Sequence, residues 1–247
     1  MQPRGTARVS KRPRKRSGRV ADWERLLAQA AMLQTKIPGA VLVGGTAAAV
    51  HARHRISLDH DHVIPDLARN YHAAIAALEA MAGWRTQRRI RGKLVLGTMD
   101  GIGAGLRNQE RSAPLETLTV DLGGGRGLRL PTIEEMLRIK AYLVVVRNAT
   151  RDYLDVAALS HRMGLRKSVW ALDRMNELYA EFAGEGGDML STVLVKLSNP
   201  DPYDLTQVDL TEYKGIIAPW NDWQSVVGQC RSLAVALLDD APGKART

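Results

Sequence analysis

Two aspartates separated by one residue carry the clearest chemical signal in this sequence. Asp59 and Asp61 lie in the segment RISLDHDHVI, whose alternating pattern predicts a β-strand. Residues two apart in a strand face the same side, so Ser57 is expected beside both aspartates and the intervening histidines on the other face. Two carboxylates on one sheet edge provide the oxygen ligands that Mg²⁺ prefers. The segment therefore predicts a site for Mg²⁺ or Mn²⁺.

A glycine pair stands just before this strand. Gly44 and Gly45 follow the buried strand-like segment AVLV and lead into Thr46 and an alanine-rich helical run. A glycine pair at a strand-to-helix turn lets the backbone approach a phosphate, and the helix N-terminus favours the negative charge. With the aspartates, the turn predicts a bound triphosphate positioned for in-line displacement. Asp121, which ends the strand-like LETLTVD, is the expected third metal carboxylate if its strand pairs beside the others.

The elements around these residues predict an α+β fold. ADWERLLAQAAML and DLARNYHAAIAALEAMAG have helical spacing, and WRTQRRI and KLVLGTM are strand-like. From Pro131, placed at the first position of a helix with acids in its first turn, the signals become helical. We therefore expect a mixed sheet flanked by helices over residues 20–130 and a helical C-terminal domain over residues 131–247.

Composition and charge narrow the class of protein. The 247-residue chain has one cysteine and a net charge of +9, and residues 1–19 contain Lys and Arg but no acid. We expect these residues to form a disordered basic tail, which either contacts nucleic-acid phosphates or only keeps the protein soluble. The single cysteine fits a reducing compartment, and no apolar run is long enough for a membrane span. A cytoplasmic protein without a membrane partner is the expectation.

Two motifs together resemble a known family. GGTAAAVHARHRISLDHD matches the glycine and D-x-D pattern of the DNA polymerase β-like nucleotidyltransferase superfamily, and within it resembles AbiEii-type toxins of type IV toxin–antitoxin systems. Lys140, followed later by RDYLD at residues 151–155, matches a second, helical signature of these toxins. The resemblance covers about residues 38–160. It implies a nucleotidyltransferase-like sheet followed by helices, an NTP substrate, a tRNA 3′ end as acceptor, and a cognate antitoxin.

The resemblance also implies roles for individual residues. Lys140 would reach the triphosphate, and Asp155 would act near the incoming hydroxyl as a base or an orienting group. Arg151 and Asp152 could equally form a structural pair. The remaining implied roles are phosphate contacts from the glycine turn and metal binding by the D-x-D pair: Gly44, Gly45, Thr46 or Ser57, Asp59 and Asp61.

Other interpretations of the sequence stay open. The same fold could serve a small-molecule acceptor such as an antibiotic, a protein acceptor, or a non-catalytic nucleic-acid-binding relative. Four clustered histidines invite a zinc site, but their spacing matches no standard zinc module. GIGAGL, residues 101–106, lacks the context of a dinucleotide-binding fingerprint. Lys140, Arg147 and Arg151 are expected to share one face of a helix, either toward a phosphate or toward solvent.

Overall fold

A five-stranded mixed sheet forms the centre of the N-terminal half. The computed structural model describes residues 16–182 and 187–240, with α1 beginning at Arg16, so most of the predicted tail lies outside the described residues. The strand order is β1-β2-β5-β4-β3, with β2 and β5 parallel and the other neighbours antiparallel. The five strands are β1 Val41–Val43, β2 Asp59–Ile64, β3 Trp84–Ile90, β4 Leu94–Met99 and β5 Ile102–Asn108.

A second, two-stranded sheet and the helices complete the described chain. The hairpin of β6 Thr117–Asp121 and β7 Gly127–Pro131 packs beside β1 through β7. The helices that flank the sheet are α1 Arg16–Lys36, α2 Gly44–Ala52 and α3 Leu67–Glu79. Those of the C-terminal half are α4 Ile133–Val146, α5 Thr150–Met163, α6 Leu165–Asp173, α7 Met175–Leu178, α8 Met189–Ser198 and α9 Trp223–Asp240. This arrangement confirms the predicted α+β class, with helices following the sheet.

Two apolar clusters hold these layers together. The smaller cluster lies behind the sheet, where Leu33 of α1 and Leu67 of α3 pack against strand residues such as Leu106. The larger cluster joins β1, α2 and β7 to the C-terminal helices. Apolar burial is therefore continuous across residue 130, and the division of the chain into domains there stays a prediction.

The start of α4 differs by two residues from the prediction. Pro131 is the last residue of β7, and Thr132 is the residue that caps the helix, its hydroxyl accepting a hydrogen bond from the Glu135 backbone N–H. The first-turn acids Glu134 and Glu135 are where the sequence predicted them. A Ser/Thr cap satisfies a free helix N–H, so the threonine hydroxyl sets the boundary rather than the proline ring.

The alternation predicted for β2 is confirmed. His60, His62 and Ile64 are buried on the back face, whereas Asp59 is exposed and Asp61 is partly exposed on the front. The two imidazole rings meet edge to face with centroids 5.4 Å apart. Within the described residues, neither ring nitrogen of His60 has a hydrogen-bond partner. The two aspartates therefore lie on the front face of β2, and two buried neutral imidazole rings occupy its back face.

Burial of His60 should make the protein sensitive to mild acid. Desolvation lowers the pKa of His60 from 6.5 to about 4, against a smaller opposing effect of Asp59. Below pH 6.5 this histidine is therefore protonated in the unfolded chain, whereas in the folded protein it is protonated only below about pH 4. The free energy of unfolding consequently falls as the pH is lowered. At pH 5 we expect this histidine to reduce the free energy of unfolding by about 2 kcal/mol.

Denaturant unfolding of a His60→Leu variant at pH 7 and pH 5 measures this effect. The variant should lose about 2 kcal/mol less than the parent between the two pH values, because leucine cannot be protonated. His72→Leu is the matched control, since His72 is exposed on α3. Equal acid losses in the parent and in His60→Leu would contradict the prediction.

Candidate active site

One cavity contains most of the residues that the sequence singled out. Its volume is about 660 Å³, and it lies between the front face of the sheet, the start of α2, and helices α4 and α5. Among its described lining residues are six cations and three acids: Arg55, Arg107, Arg111, Lys140, Arg147 and Arg151, with Asp59, Asp61 and Glu110. These cations offer contacts to an anionic ligand, while three buried carboxylates behind the lining form ion pairs with four of them and offset the formal excess: Glu135, Asp152 and Asp155.

The two aspartates stand side by side on the cavity floor. The Ser57 hydroxyl donates a 2.8 Å hydrogen bond to Asp59 Oδ1. Arg107 Nε lies 3.9 Å from Asp61 Oδ1. Burial raises the pKa of Asp61, Arg107 opposes that shift, and the charge of Asp59 adds to it. The charged form of Asp61, disfavoured by burial and by the neighbouring Asp59 charge, would be stabilised by a cation bound between the two carboxylates.

Glycines leave room around these carboxylates. A Cβ on Gly105, the β5 residue paired with Asp61, would lie 2.2 Å from Asp61 Oδ1. A Cβ on Gly103, paired with Asp59, would lie 3.3 Å from the Asp59 Cβ. Oxygen ligands with open space fit Mg²⁺, which keeps several waters. No third carboxylate, histidine or cysteine joins the pair as a three-ligand group in the described part of the chain.

Gly105→Ala should disturb the aspartate without unfolding the protein. Its methyl group would push the Asp61 carboxylate away from its place, because that side-chain end is the movable partner. We expect Mn²⁺ affinity, measured by titration calorimetry, to fall by about tenfold. Gly228→Ala is the control, since a Cβ there has no neighbour within 4 Å. Unchanged Mn²⁺ affinity in Gly105→Ala would contradict this account.

The glycine turn brings a helix N-terminus to the cavity. Gly44 has φ +74°, a backbone conformation that glycine adopts readily, and the nine-residue helix α2 begins at this residue. Val43 precedes the helix and offers no side-chain cap, so the first N–H groups of α2 are free for an anion. The Arg55 guanidinium packs so closely that it would contact a Cβ at Gly45.

Thr46 does not belong to the cavity lining. It is buried, and its hydroxyl donates a hydrogen bond to the backbone carbonyl of Asp59. The expected phosphate contact from the Thr46 hydroxyl is therefore wrong, because its proton is used to tie α2 to β2, and only the Thr46 backbone N–H remains in the first turn of α2. Ser57, the alternative, does line the cavity.

Asp155 is the centre of a buried charge cluster. It shares a 2.7 Å hydrogen bond with His54 Nε2 and accepts hydrogen bonds from Arg55 at 3.0 and 3.2 Å. Lys140 Nζ lies 2.7 Å from Asp155 Oδ2. Burial acts to raise the pKa of Asp155, but Arg55, Lys140 and His54 outweigh it and hold the pKa well below its usual value. Since this carboxylate is fully buried and absent from the described cavity lining, the expected role near the incoming hydroxyl, as a base or an orienting group, does not fit it; it instead holds Arg55 and Lys140 in place.

Three cations expected on one helix lie on two. Helix α4 ends at Val146, and Asn148, with φ +53°, separates it from α5. Lys140, Arg147 and Arg151 still line the same cavity because the two helices pack together. The Asp152 carboxylate accepts a 2.7 Å hydrogen bond from Arg147 Nε, so its structural partner is Arg147 rather than Arg151.

The placement of Asp121 in the metal site is wrong. Strand β6 pairs with β7 in the separate small sheet and does not lie beside β2. Asp121 is exposed, and its carboxylate accepts a hydrogen bond from the Gly123 backbone N–H at 2.8 Å. It caps the β6–β7 turn, and it is absent from the described lining of the cavity.

Three of the clustered histidines have separate environments. His51 Nε2 contacts the Pro131 carbonyl at 2.8 Å, His54 contacts Asp155, and His60 lies on the buried back face of β2.

The sequence interpretation missed β5, which the GIGAGL segment forms, together with the cavity role of Arg107. Glycine has a low strand propensity, so the only signal was the alternation of glycine with larger residues.

The sequence comparisons match only part of the chain. No family model matches it. The chain is 32% identical over 136 residues to probable transport protein MmpL11 of Mycobacterium leprae, which covers 54% of this chain and 13% of that protein. It is 36% identical over 136 residues to heme uptake protein MmpL11 of Mycobacterium tuberculosis, covering 53% and 13%. The chain thus spans about 13% of the curated relatives that it matches. None of the helices in the described part has the length and apolarity of a membrane span.

The solved structures that match the chain are distant in sequence, and their TM-scores lie below 0.5. The antibiotic-resistance factor ANT(2″)-Ia is 16% identical with a TM-score of 0.47, covering 64% of this chain and 94% of that one. A candidate nucleotidyltransferase from H. pylori is 16% identical with a TM-score of 0.45, covering 87% and 94%. An antigenic nucleotidyltransferase-like protein from Paracoccidioides brasiliensis is 13% identical with a TM-score of 0.44, covering 70% and 92%.

Proposed function

We propose that this chain is a Mg²⁺-dependent nucleotidyltransferase that moves an NMP from an NTP to an acceptor hydroxyl and releases pyrophosphate. The carrying observation is that one cavity unites the Asp59–Asp61 pair, the uncapped N-terminus of α2 and Lys140. Each of these groups would bind a different part of a metal-bound triphosphate. The aspartates would bind the metal, the α2 N–H groups the phosphate oxygens, and Lys140 would offset the remaining negative charge.

The side chains divide the work of the transfer. The first N–H groups of α2 and Arg55 hold phosphate oxygens, and Lys140 offsets their charge. Asp59 and Asp61 would hold Mg²⁺, which supplies charge neutralisation at the reacting phosphate. The acceptor oxygen forms a bond to the α-phosphorus while the bond to the pyrophosphate oxygen breaks, and the hydroxyl proton leaves to solvent. Asp155 keeps Lys140 and Arg55 extended toward the cavity without touching the substrate.

The acceptor is proposed to be the 3′ end of tRNA, with the protein acting as a cytoplasmic toxin restrained by a cognate antitoxin. Support comes from the two motifs that resemble AbiEii-type toxins, and from the net charge of +9 of the chain, which suits a polyanion. The net positive charge of the chain disfavours a polycationic antibiotic as acceptor. A protein acceptor is the alternative that charge does not disfavour.

A labelling assay tests this function. Purified protein, Mg²⁺ and each of the four α-³²P-NTPs in turn are incubated with total bacterial tRNA, beside an Asp59→Ala variant. Label on tRNA that is absent in the variant is the expected result. In parallel reactions that contain an aminoglycoside or bacterial protein in place of tRNA, label on either would instead support the alternative acceptors. No label on any acceptor, with tRNA binding intact, would overturn the enzymatic proposal in favour of a non-catalytic binding protein.

A further inference from the structure

The front face of the sheet extends beyond the cavity to an exposed edge strand. In the strand register, two rows of paired residues cross from β2 through β5 and β4 to β3: Asp61–Gly105–Leu96–Arg88 and Asp59–Gly103–Thr98–Arg85. A Cβ on Gly105 would contact both the Asp61 carboxylate and Leu96. Because glycine has no side chain, the sheet surface between Asp61 and Leu96 stays open. Neighbouring strands are about 4.8 Å apart, which places the arginine backbones about 14 Å from the aspartates.

The edge strand is strongly basic. The β3–β4 hairpin, residues 84–99, contains five exposed cations and no acid: Arg85, Arg88, Arg89, Arg91 and Lys93. Arg85 and Arg88 pair with Thr98 and Leu96 and so share the front face with the aspartates. Arg89 is on the back face, where it lies 3.9 Å from Glu79 of α3. Arg85 and Arg88 therefore lie on the same sheet face as the aspartates, at the opposite edge of the sheet from β1.

We propose that Arg85 and Arg88 bind the phosphate backbone of the single-stranded 3′ end of an RNA acceptor. This inference rests on the proposed function, because the strand that they hold would end at the aspartates. At about 3.4 Å per stacked nucleotide, the 14 Å path holds about four nucleotides at most. The two glycines of β5 leave room for such a strand beside the aspartates, and cations at its far end hold the backbone without reading its sequence.

Binding of a fluorescent 12-nucleotide single-stranded RNA to the full chain, without NTP, tests the proposal. For the Arg85→Gln/Arg88→Gln double variant we expect about tenfold weaker binding at 100 mM salt. The slope of log affinity against log salt should fall by about 1.4, because each lost phosphate contact removes about 0.7. The control is Arg89→Gln/Arg69→Gln, which removes two exposed cations from the back of β3 and from α3 and should change affinity less than twofold.

Three outcomes would overturn the proposal. The front-face variant could retain the affinity and salt slope of the parent, or both double variants could weaken equally, which would indicate a general charge effect. Loss of binding to phosphatidylglycerol vesicles with RNA binding intact would indicate a membrane surface instead. Because binding is measured without turnover, RNA binding lost only in the front-face variant supports the proposal even if the tRNA labelling assay fails.

Discussion

Replacing Asp61 by asparagine is expected to reduce nucleotide transfer on the order of 10³-fold. The reason is that the carboxylate charge is the feature that a divalent cation needs, and charge stabilisation by such a cation is worth several kcal/mol of barrier. Asparagine keeps the shape and fits the space left by Gly105. The measurement is the initial rate of label transfer from the preferred α-³²P-NTP at saturating Mg²⁺.

The stability of the same variant should move in the opposite direction or not at all. Burial raises the pKa of Asp61, so its charge is disfavoured in the folded protein and its removal relieves that penalty. A lower rate at an unchanged or higher melting temperature separates a functional role from a structural one. Local charge that disfavours folding is expected at functional sites.

Asp121→Asn is the matched control for this variant. It removes the same charge from an exposed carboxylate at the β6–β7 turn. Its transfer rate should stay within twofold of the parent. A rate loss in Asp121→Asn similar to that of Asp61→Asn would contradict the site described here and would support the original prediction that Asp121 is a metal ligand.

The central part of the site could be predicted because its signals are local. The alternation in β2 determined which residues share a face, and burial of His60 on one side and exposure of Asp59 on the other follow that pattern. The Gly44–Gly45 turn likewise needed only adjacent residues. Local patterns of period two and glycine pairs are short-range consequences of backbone geometry, which the sequence carries directly.

The errors arose where pairing between distant segments decides the outcome. Asp121 ends a strand as expected, but the partner of that strand is β7 and not the central sheet. Strand β5 was missed because Gly103 and Gly105 have a low strand propensity, although their lack of side chains is what the aspartates require. The role of Asp155 depends on His54 and Arg55, about 100 residues away, whose convergence no local pattern indicates.

Asp155→Asn should be among the most destabilising single substitutions in this chain. It leaves Arg55 and Lys140 buried without their main counter-charge, since their side chains are 7% and 2% exposed. Removing one partner of a buried ion pair costs about 3–5 kcal/mol. Lys140 keeps a second carboxylate, Asp152, at 3.6 Å, so we expect a loss near the lower figure, about 3 kcal/mol. Denaturant unfolding at pH 7 measures it.

A second variant and the pH dependence keep this prediction testable. Adding Lys140→Met to Asp155→Asn removes one stranded cation and should restore part of the lost stability, whereas a merely steric defect would not be relieved. The depressed pKa of Asp155 implies that its contribution is present above the ordinary aspartate pKa and is lost as the pH falls through the folded-state pKa. The parent should therefore lose more stability than Asp155→Asn on acidification. Parallel acid losses, with no recovery in the double variant, would show that the carboxylate charge does not hold this cluster together.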